Sequence, residues 1–467
     1  MRSVCFRTYR PKYSGYGYGT LEFASALKKY GYEFDLEYAL EESKPTKRDI
    51  VIHSGFPHFF RIEKGKINIA RVMLESDSLP RLWAEILNGM DEVWVAATFN
   101  AKTFAKGGVD KKKIFVIPDM AVLPDQGEKR AVNKKVDVKS GPFRFLSVFL
   151  DLSLRKGWDV MLEEFVFTFG GSPDVEWVVQ CASDSALELK ERLKALAESG
   201  FPVGNITVLG KRPSREEMVS LYASADCYVL PSRGEGFGRP YLEAASMGLP
   251  VIATGWGGQL DFLNKRNSRL LKYKLVKVPA PDALDCYFLA GQKWAEPSGN
   301  DLSFALKESL DRSRFEPVDC SKFSEESVMK LVNRRLEKVK KYSRPGKVLK
   351  PEIIVYDKEW NEKFPSPKQF AGMLRKTGKR FAIAGTGWNA GWLAEFLEKE
   401  KLKVEFFIDR KAGRFAGKKV MDVRKISGKE AVDAILISTY PGSFAEWVEM
   451  LSEKQRAIPV IFYRQAD

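Results

Sequence analysis

The stretch LPSRGEGFGRPYLEAASMGLPVIAT (residues 230–254) decides how this chain folds. An apolar strand ends at Leu230, and a loop rich in glycine follows it. Pro240 lies where a helix would begin, because its fixed φ and missing N–H suit the first helical position. Gly248 follows the predicted helix, where a left-handed cap is favoured. Since another apolar strand comes next, the stretch predicts a strand–loop–helix–strand unit of a parallel sheet.

The loop of this unit is predicted to bind a phosphate group. Glycines such as Gly236 and Gly238 let a ligand approach the backbone, and the amides at the start of a helix favour an anion. Glu235 precedes those amides, and Glu243 lies about one turn inside the helix. Two carboxylates at such a turn can accept hydrogen bonds from the hydroxyls of a ribose and of a sugar. The alternative is a surface helix whose glutamates face water.

Strands and helices alternate on both sides of this stretch, which predicts an α/β fold with parallel sheets. Apolar runs before residue 130 read RSVCFR, DIVIHSG, INIARVML, DEVWVAA and KIFVIPD, and LEFASALKKYG has a helical pattern. A Lys-rich stretch at 127–141 separates them from a second series, which ends with the basic amphipathic segment 326–342. We therefore expect two doubly wound, Rossmann-like α/β domains, then a third Rossmann-like unit. The predicted bounds are 1–130, 131–345, a linker at 346–378, and 379–467.

The C-terminal unit has the pattern of a nucleotide-binding turn. Gly385 and Gly387 follow the apolar run FAIA, and a second predicted strand ends at Asp409, about 20 residues later. This is the layout of a dinucleotide site with a ribose-binding acid. The alternative is a degenerate Rossmann unit used for assembly or acceptor binding. The residues that follow show no dehydrogenase catalytic set, so no redox chemistry is expected.

Composition narrows the class of protein. The chain has 467 residues, of which 44% are hydrophobic, and a net charge of +15. No apolar run approaches the roughly 18–20 residues of a membrane span, and the first residues lack a signal-peptide core, so we expect a cytoplasmic protein. The five cysteines show no CxxC spacing, which argues against zinc and disulfides. The positive charge favours binding to anionic membranes, nucleic acid or phosphorylated substrates. The alternative is that the charge only keeps the protein soluble.

The two glutamates carry a family resemblance. Glu235 and Glu243 match the E-x7-E motif of retaining GT-B glycosyltransferases, known as group 1 or glycosyltransferase family 4. The run EGFGRPYLEAASMGLPVIAT resembles that motif throughout. The resemblance implies that Glu243 holds the ribose hydroxyls of a nucleotide sugar and that Glu235 contacts the transferred sugar. It also implies that the amides around Phe237, Gly238 and Arg239 face the diphosphate.

Other segments resemble the same family in the same order along the chain. FLDLSLRKGWDVMLEEF is similar to its phosphate-binding strand–loop–helix, in which Arg155 and Lys156 would stabilise the charge of the leaving nucleoside diphosphate. Ordinary solvated loop cations are the alternative. The resemblance also places Gly210 and Lys211 beside the nucleotide base. It places the glycine-rich run that contains Gly15, Gly17 and Gly19 near the donor phosphates or the acceptor, although a flexible loop would have the same composition.

The first lobe departs from the family pattern. Many members carry a histidine there that faces the donor sugar, but this chain has only two histidines, His53 and His58. His53 ends a predicted strand, where sites in α/β folds usually lie. In many relatives the histidine follows the next strand, where this chain has MLESDS and offers Glu75. Both His53 and Glu75 are therefore candidates, and each could instead be a satisfied polar group at a strand end.

The resemblance implies a retaining hexosyltransferase that uses a UDP- or GDP-sugar. It implies reaction on one face of the sugar, with no protein nucleophile, no metal site and no cofactor beyond the donor. A glycan, a lipid-linked glycan or a protein is the expected acceptor, and the basic surface would help the protein contact the inner face of a membrane. Two alternatives stay open, namely glycosylation of modified DNA bases and a non-catalytic nucleotide-sugar sensor.

Overall fold

The computed structural model describes most of residues 3–342 and the strands of a C-terminal sheet. The described residues are 3–8, 15–38, 46–57, 60, 62–79, 81–120, 141–211, 213–279, 292–311, 315–342, 353–356, 380–384, 394, 397–399, 401–409, 413–415, 418–422, 434–437 and 460–463.

The first lobe is built on a six-stranded parallel sheet of order β2-β1-β3-β4-β5-β6. Every residue of β3 and β4 is buried, as expected for parallel strands that are covered on both faces. The order reverses beside β1, and such switch points place ligands at the carboxyl ends of the strands. The elements are β1 (Ser3–Thr8), α1 (Gly15–Lys29), β2 (Glu33–Tyr38), β3 (Ile50–Ser54), β4 (Ile67–Val72), α2 (Arg81–Asn88), β5 (Glu92–Val95), α3 (Thr98–Lys106) and β6 (Ile114–Val116).

The second lobe also has a six-stranded parallel sheet, of order β12-β11-β10-β7-β8-β9. This is the doubly wound Rossmann order, whose switch point lies between β7 and β10. The elements are β7 (Phe143–Val148), a 3-10 turn (Leu154–Lys156), α4 (Trp158–Phe169), β8 (Val175–Gln180), α5 (Ser183–Glu198), β9 (Ile206–Leu209), α6 (Arg215–Ser224), β10 (Cys227–Leu230), α7 (Arg239–Ser246), β11 (Val251–Thr254), a 3-10 turn (Gly258–Asp261) and β12 (Arg269–Leu271). The predicted strand–loop–helix–strand unit is confirmed as β10, α7 and β11.

Two elements that follow the second sheet pack against the first lobe. The antiparallel hairpin of β13 (Tyr273–Lys277) and β14 (Lys293–Pro297) buries Trp294 in a cluster with Trp83 of α2. Helix α8 (Gly299–Glu308) packs on α4 of the second lobe, and α9 (Glu325–Tyr342) then returns to the first lobe.

Helix α9 is the basic amphipathic segment predicted from the sequence. Its apolar side, which includes Val332 and Leu336, joins a core cluster with Phe6 and Phe23 of the first lobe. Arg335 also pairs with Glu92 of β5. The chain therefore crosses back, and its last helix before residue 343 belongs to the core of the first lobe although the sequence pattern groups it with the second. The predicted domain bounds stay predictions.

The C-terminal strands form a fourth sheet of order β15-β21-β20-β16-β17-β19-β18. Its pairs are parallel except for β18 and β19. The strands are β15 (Ile353–Tyr356), β16 (Arg380–Ala384), β17 (Lys403–Asp409), β18 (Gly413–Phe415), β19 (Lys418–Asp422), β20 (Ala434–Ile437) and β21 (Val460–Tyr463). Gly385 and Gly387 lie outside the described residues, while Asp409 is the last residue of β17.

No helix in the described part of the chain is long and apolar enough to cross a membrane.

Candidate active site

Two loops meet at the switch point of the second sheet. Strands β7 and β10 are neighbours, so the loops that leave their carboxyl ends lie side by side. One carries Arg155 and Lys156, and the other carries the glycine-rich run with Glu235. The backbone N–H of Arg233 donates to the carbonyl of Arg155 at 2.7 Å, which joins the two loops directly.

Glu235 is held by two cations and a hydroxyl. Lys156 Nζ donates to Glu235 Oε1 at 2.7 Å, and Arg155 Nη1 lies 3.4 Å from the same oxygen. Ser232 Oγ donates to it at 3.1 Å. Burial would raise the pKa of Glu235, but the charges of Lys156 and Arg155 outweigh burial and lower the pKa. Glu235 is therefore an ionised acceptor for hydroxyl groups.

A left-handed glycine sets the geometry of the cationic loop. Gly157 has φ +68° and ends the 3-10 turn that carries Arg155 and Lys156. A Cβ at Gly157 would overlap the carbonyl group of Pro231. The two loops therefore pack with no room for a side chain, which brings both cations beside the Glu235 carboxylate.

Helix α7 begins at the glycine-rich loop, as predicted. Gly238 precedes it with φ +91°, and Pro240 lies in its first turn. The side chain of Phe237 points into the hydrophobic core of the second lobe, where it contacts Phe262 and Phe323. Phe237 can therefore offer the cleft only its backbone, and its side chain anchors the loop.

Glu243 is positioned by a buried phenol and a guanidinium. Tyr222 Oη donates to Glu243 Oε2 at 2.9 Å, and Arg239 Nη2 lies 3.5 Å from Oε1. Tyr222 is buried at the end of α6. Its contribution was not visible in the sequence, because α6 reaches α7 only through the sheet packing.

The side chain of Arg239 connects the two lobes. Its Nη2 lies 2.5 Å from a carboxylate oxygen of Glu22 on α1. A Cβ at Gly19 would lie 3.3 Å from the guanidinium, so the absence of a side chain there leaves space for Arg239. Gly15 and Gly17 lie in the first turns of the same helix, which begins six residues before the predicted LEFASALKKYG. The family resemblance assigned a role only to the backbone amide of Arg239. In the structure the guanidinium of Arg239 pairs with the first lobe.

Glu75 lies on the first-lobe side of the same cleft. A Cβ at Gly234 would overlap the Glu75 carbonyl oxygen, and one at Gly236 would lie 3.0 Å from the Met73 side chain. The loop after β4 therefore packs closely against the glycine-rich loop. Burial raises the pKa of Glu75, with Arg155 opposing and Glu235 reinforcing that rise. Glu75 thus shares one electrostatic environment with the residues around Glu235.

His53 lies in the interior of the first lobe. Its Nε2 is 3.1 Å from Asn68 Oδ1, and its ring is 5.3 Å from the ring of Phe60. Burial lowers the pKa of His53 to about 3, so the imidazole is neutral. These contacts are those of a satisfied polar group at a strand end, and none of them involves the second lobe. His58 lies outside the described residues.

Gly210 and Lys211 lie at the carboxyl end of β9. A Cβ at Gly210 would lie only 2.6 Å from the side chain of Ala186, so this turn packs closely on α5. The Lys211 carbonyl accepts from Gln180 Nε2 at 3.1 Å. Its ammonium is exposed and lies 3.2 Å from Glu217. This edge is therefore positioned through its backbone.

The described residues contain no group of three or more histidine, cysteine, aspartate or glutamate side chains that could hold a metal ion.

Comparison with protein families supports the sequence interpretation. Residues 146–283, under a third of the chain, match the family "Glycosyl transferases group 1". The D-inositol 3-phosphate glycosyltransferase of Corynebacterium urealyticum is 32% identical over 182 residues, which cover 38% of this chain and 39% of that protein. The O-antigen chain mannosyltransferase B of Escherichia coli is 48% identical over 59 residues, covering 13% and 15%. The chain thus spans less than half the length of these curated relatives.

Solved structures show the same fold at low identity. A glycosyltransferase from Rickettsia africae has a TM-score of 0.53 at 16% identity, covering 73% of this chain and 100% of that chain. Anabaena HepE in complex with UDP and glucose has a TM-score of 0.51 at 13% identity, covering 72% and 100%. The two Rossmann-like lobes therefore have a GT-B fold, and residues 146–283 match the group 1 glycosyltransferase family.

Proposed function

We propose that this chain, which carries a group 1 glycosyltransferase domain on a GT-B fold, is a retaining transferase that uses a nucleoside-diphosphate hexose. The observation that supports the proposal most strongly is the arrangement around Glu235. Lys156 and Arg155 converge on its carboxylate, and α7 begins four residues after Glu235 along the chain. A site with two cations, a helix N-terminus and an ionised acceptor matches a donor that carries both phosphates and hydroxyls.

The residues divide the donor between them. The diphosphate would lie against Arg155, Lys156 and the amides at Gly238, while Glu235 accepts from hydroxyls of the hexose. Glu243 would accept from the ribose hydroxyls. The base would lie at the carboxyl end of β9, near the backbone of Gly210 and Lys211. Uridine and guanosine are the bases we propose to test.

Transfer with retention needs the new bond to form on the face from which the diphosphate leaves. The bond between the anomeric carbon and the phosphate oxygen breaks, and the electron pair goes to the phosphate. The acceptor oxygen then bonds the same carbon, and its proton passes to the phosphate. Arg155 and Lys156 stabilise the charge that develops on the leaving group, which lowers the barrier without a protein nucleophile.

Glu75 is our candidate for the first-lobe residue that faces the donor sugar. Its backbone already rests on Gly234, one residue before Glu235. Burial, with the nearby Glu235 charge, raises the pKa of Glu75, and a carboxyl beside the glycine-rich loop can form hydrogen bonds with sugar hydroxyls. His53 is a weaker candidate, because its contacts keep it within the first lobe.

We propose a glycan, a lipid-linked glycan or a protein as the acceptor. The net charge of +15 would favour contact of the protein with an anionic cytoplasmic membrane surface during that reaction. We propose that residues 379–467 are an accessory unit, whose strands form the C-terminal sheet together with β15.

The test is a panel of nucleotide-sugar donors in which release of nucleoside diphosphate is followed. We expect one donor to be hydrolysed or transferred by the wild-type protein, and both Glu235→Gln and Glu243→Gln to reduce kcat/KM on the order of a hundredfold. Glu188→Gln is the matched control, since Glu188 is an exposed glutamate of the same lobe that pairs with Arg192. Binding of a donor with no turnover against any acceptor would instead indicate a sensor. No binding of any nucleotide sugar would contradict the proposal.

A further inference from the structure

Arg233 lies between the two loops of the candidate site, and every N–H of its guanidinium has an acceptor. Its Nη1 and Nη2 donate to the two Asp159 oxygens at 2.7 and 2.8 Å. Its Nε and Nη2 donate to the two Glu296 oxygens at 2.6 and 2.7 Å. Nη1 also donates to the carbonyl of Leu154. Guanidinium carries five donors in a fixed plane, so only arginine can make this set.

These bonds join three parts of the molecule. Asp159 lies in the first turn of α4, directly after the cationic loop, and Leu154 begins the 3-10 turn of that loop. Glu296 belongs to β14. The backbone adds two more links, because the Arg233 N–H donates to the Arg155 carbonyl at 2.7 Å and the Ala295 N–H donates to the Arg233 carbonyl at 2.9 Å.

Strand β14 is itself docked on the first lobe. Asp77 and Lys293 exchange two hydrogen bonds, from the Asp77 N–H to the Lys293 carbonyl at 2.9 Å and from the Lys293 N–H to Asp77 Oδ1 at 2.7 Å. Trp294 is buried in the cluster of α2. Asp77 is two residues from Glu75, so the frame that holds Arg233 is in contact with the first-lobe side of the cleft.

We propose that Arg233 is a positioning residue, which fixes the turn carrying Arg155 and Lys156 so that both cations meet the donor diphosphate. This inference rests on the proposed function. Arg233 does not touch the diphosphate in this arrangement, because its donors are all engaged by Asp159, Glu296 and Leu154. Its effect passes through the backbone of the loop, and β14 supplies the fixed support on the other side.

A role in positioning differs from a role in folding alone. Replacing a buried ion pair often changes stability little when a residue of similar volume fills its place, so stability need not be the reason for this arrangement. Lysine in place of Arg233 keeps one charge but cannot reach both carboxylates and the Leu154 carbonyl together. The turn would then lose its alignment while the surrounding strands remain paired.

The experiment compares Arg233→Lys with wild type in the full chain by titrating a nucleoside diphosphate and the corresponding nucleoside, using the nucleotide of the donor identified in the panel. A shift of the turn should weaken binding of the diphosphate on the order of tenfold to a hundredfold, because the alignment of charged groups is sensitive to displacements of about 1 Å. Binding of the nucleoside should not change, since it uses Glu243 and the β9 edge. The kcat should fall with the affinity for the diphosphate.

The matched control is Arg269→Lys. Arg269 also bridges two carboxylates of the second lobe, with Nη2 2.8 Å from Asp301 and Nε 3.1 Å from Glu308, but both partners lie on α8. It should leave the preference for diphosphate over nucleoside unchanged. Should Arg233→Lys fail to fold, Glu296→Gln removes one charge from the same set and should show the same selective loss in weaker form.

Two results would overturn the inference. The first is that Arg233→Lys binds the diphosphate as tightly as wild type does, and the second is that it loses the same affinity for the diphosphate and for the nucleoside. Either observation would show that Arg233 does not position the cations. A wild-type protein that binds no nucleoside diphosphate would contradict the proposed function itself, which is a distinct outcome because it appears before any variant is compared.

Discussion

Glu235 and Glu243 are held in different ways, and this difference decides what each can do. Glu235 is surrounded by cationic donors, so its carboxylate is ionised and its Oε1 is fixed by Lys156. Glu243 instead takes one hydrogen bond from Tyr222, and Arg239 lies farther away. We therefore expect the Tyr222 hydroxyl to contribute more than Arg239 to the orientation of the Glu243 carboxylate.

We predict that Tyr222→Phe raises the donor KM about fivefold and leaves kcat nearly unchanged, since one hydrogen bond contributes about 1 kcal/mol. The reason is that Glu243 would contact the ribose equally in the ground state and the transition state. Steady-state kinetics with the donor measures this. Tyr228→Phe is the control, because the Tyr228 hydroxyl donates to the Val148 carbonyl at 3.2 Å and does not reach Glu243. Equal KM changes in both variants would contradict the prediction.

Glu75 should make stability depend on pH. Its folded pKa is raised above the ordinary value of 4.5, chiefly by burial. Above pH 4.5 the unfolded chain therefore releases this proton while the folded chain still holds it, so the contribution of Glu75 to stability falls as pH rises from 4.5 through the folded pKa. Below 4.5 both states are protonated and the contribution does not change.

Glu75→Gln should remove that dependence, because glutamine does not ionise. We expect the melting temperature of wild type to fall relative to the variant as pH rises above 4.5, as measured by scanning calorimetry at several pH values. Parallel curves for the two proteins would show that Glu75 titrates normally.

At the scale of elements, the turn between β7 and α4 depends on a glycine for two separate reasons. Gly157 adopts φ +68°, and a side chain there would overlap Pro231. Gly200 has a similar φ of +85° at the end of α5, but nothing lies within 4 Å of its Cβ position. The pair separates backbone strain from steric overlap.

We predict that Gly200→Ala costs about 1 kcal/mol, which is the strain of a left-handed alanine. Gly157→Ala should cost more, about 3 kcal/mol, because the overlap adds to the strain. It should also reduce turnover, since the same turn carries Arg155 and Lys156. Chemical denaturation and donor kinetics of both variants test this, and equal losses of stability would show that the two loops separate easily.

Local signals predicted these elements well. Pro240 and Gly248 predicted the ends of one helix, and the structure has α7 from Arg239, one residue before Pro240, to Ser246. The start of α1 was not predicted, because glycines and tyrosines usually weaken a helix and Gly15 stands at its first residue. Packing of Phe23 and Leu27 in the first-lobe core stabilises the helix in the folded protein, and packing is not visible in a local pattern.

At the scale of the whole molecule, the site exists only where the two lobes meet. Arg239 pairs with Glu22, and the carbonyl oxygen of Glu75 occupies the space that a Cβ at Gly234 would need. The backbone N–H of Thr98, at the start of α3, donates to Asp261 Oδ2 of the second lobe at 2.8 Å. A change at one of these contacts should alter lobe closure without altering the fold of either lobe.

We predict that Gly234→Ala reduces kcat on the order of a hundredfold while the melting temperature changes little. Its added Cβ would collide with the first lobe, whereas the Gly157→Ala collision lies within the second lobe and should lower both. Small-angle scattering should show a larger radius of gyration for Gly234→Ala, because the lobes are held apart. An unchanged radius with full activity would show that the Glu75 loop moves aside.

The family resemblance grouped Glu235 with Arg155 and Lys156 in one donor site. The repeating α/β pattern and the helix α7 with its glycine-rich loop could be predicted from the pattern of residues itself. Such signals are local, since strand runs, caps and turns depend on residues within a few positions of one another. The contacts of Tyr222, Arg233 and Glu22 and the return of α9 to the first lobe could not be predicted and are seen only in the folded chain. These depend on strand order and lobe packing, which bring together residues far apart in the chain, and periodicity carries no information about which distant side chains will meet.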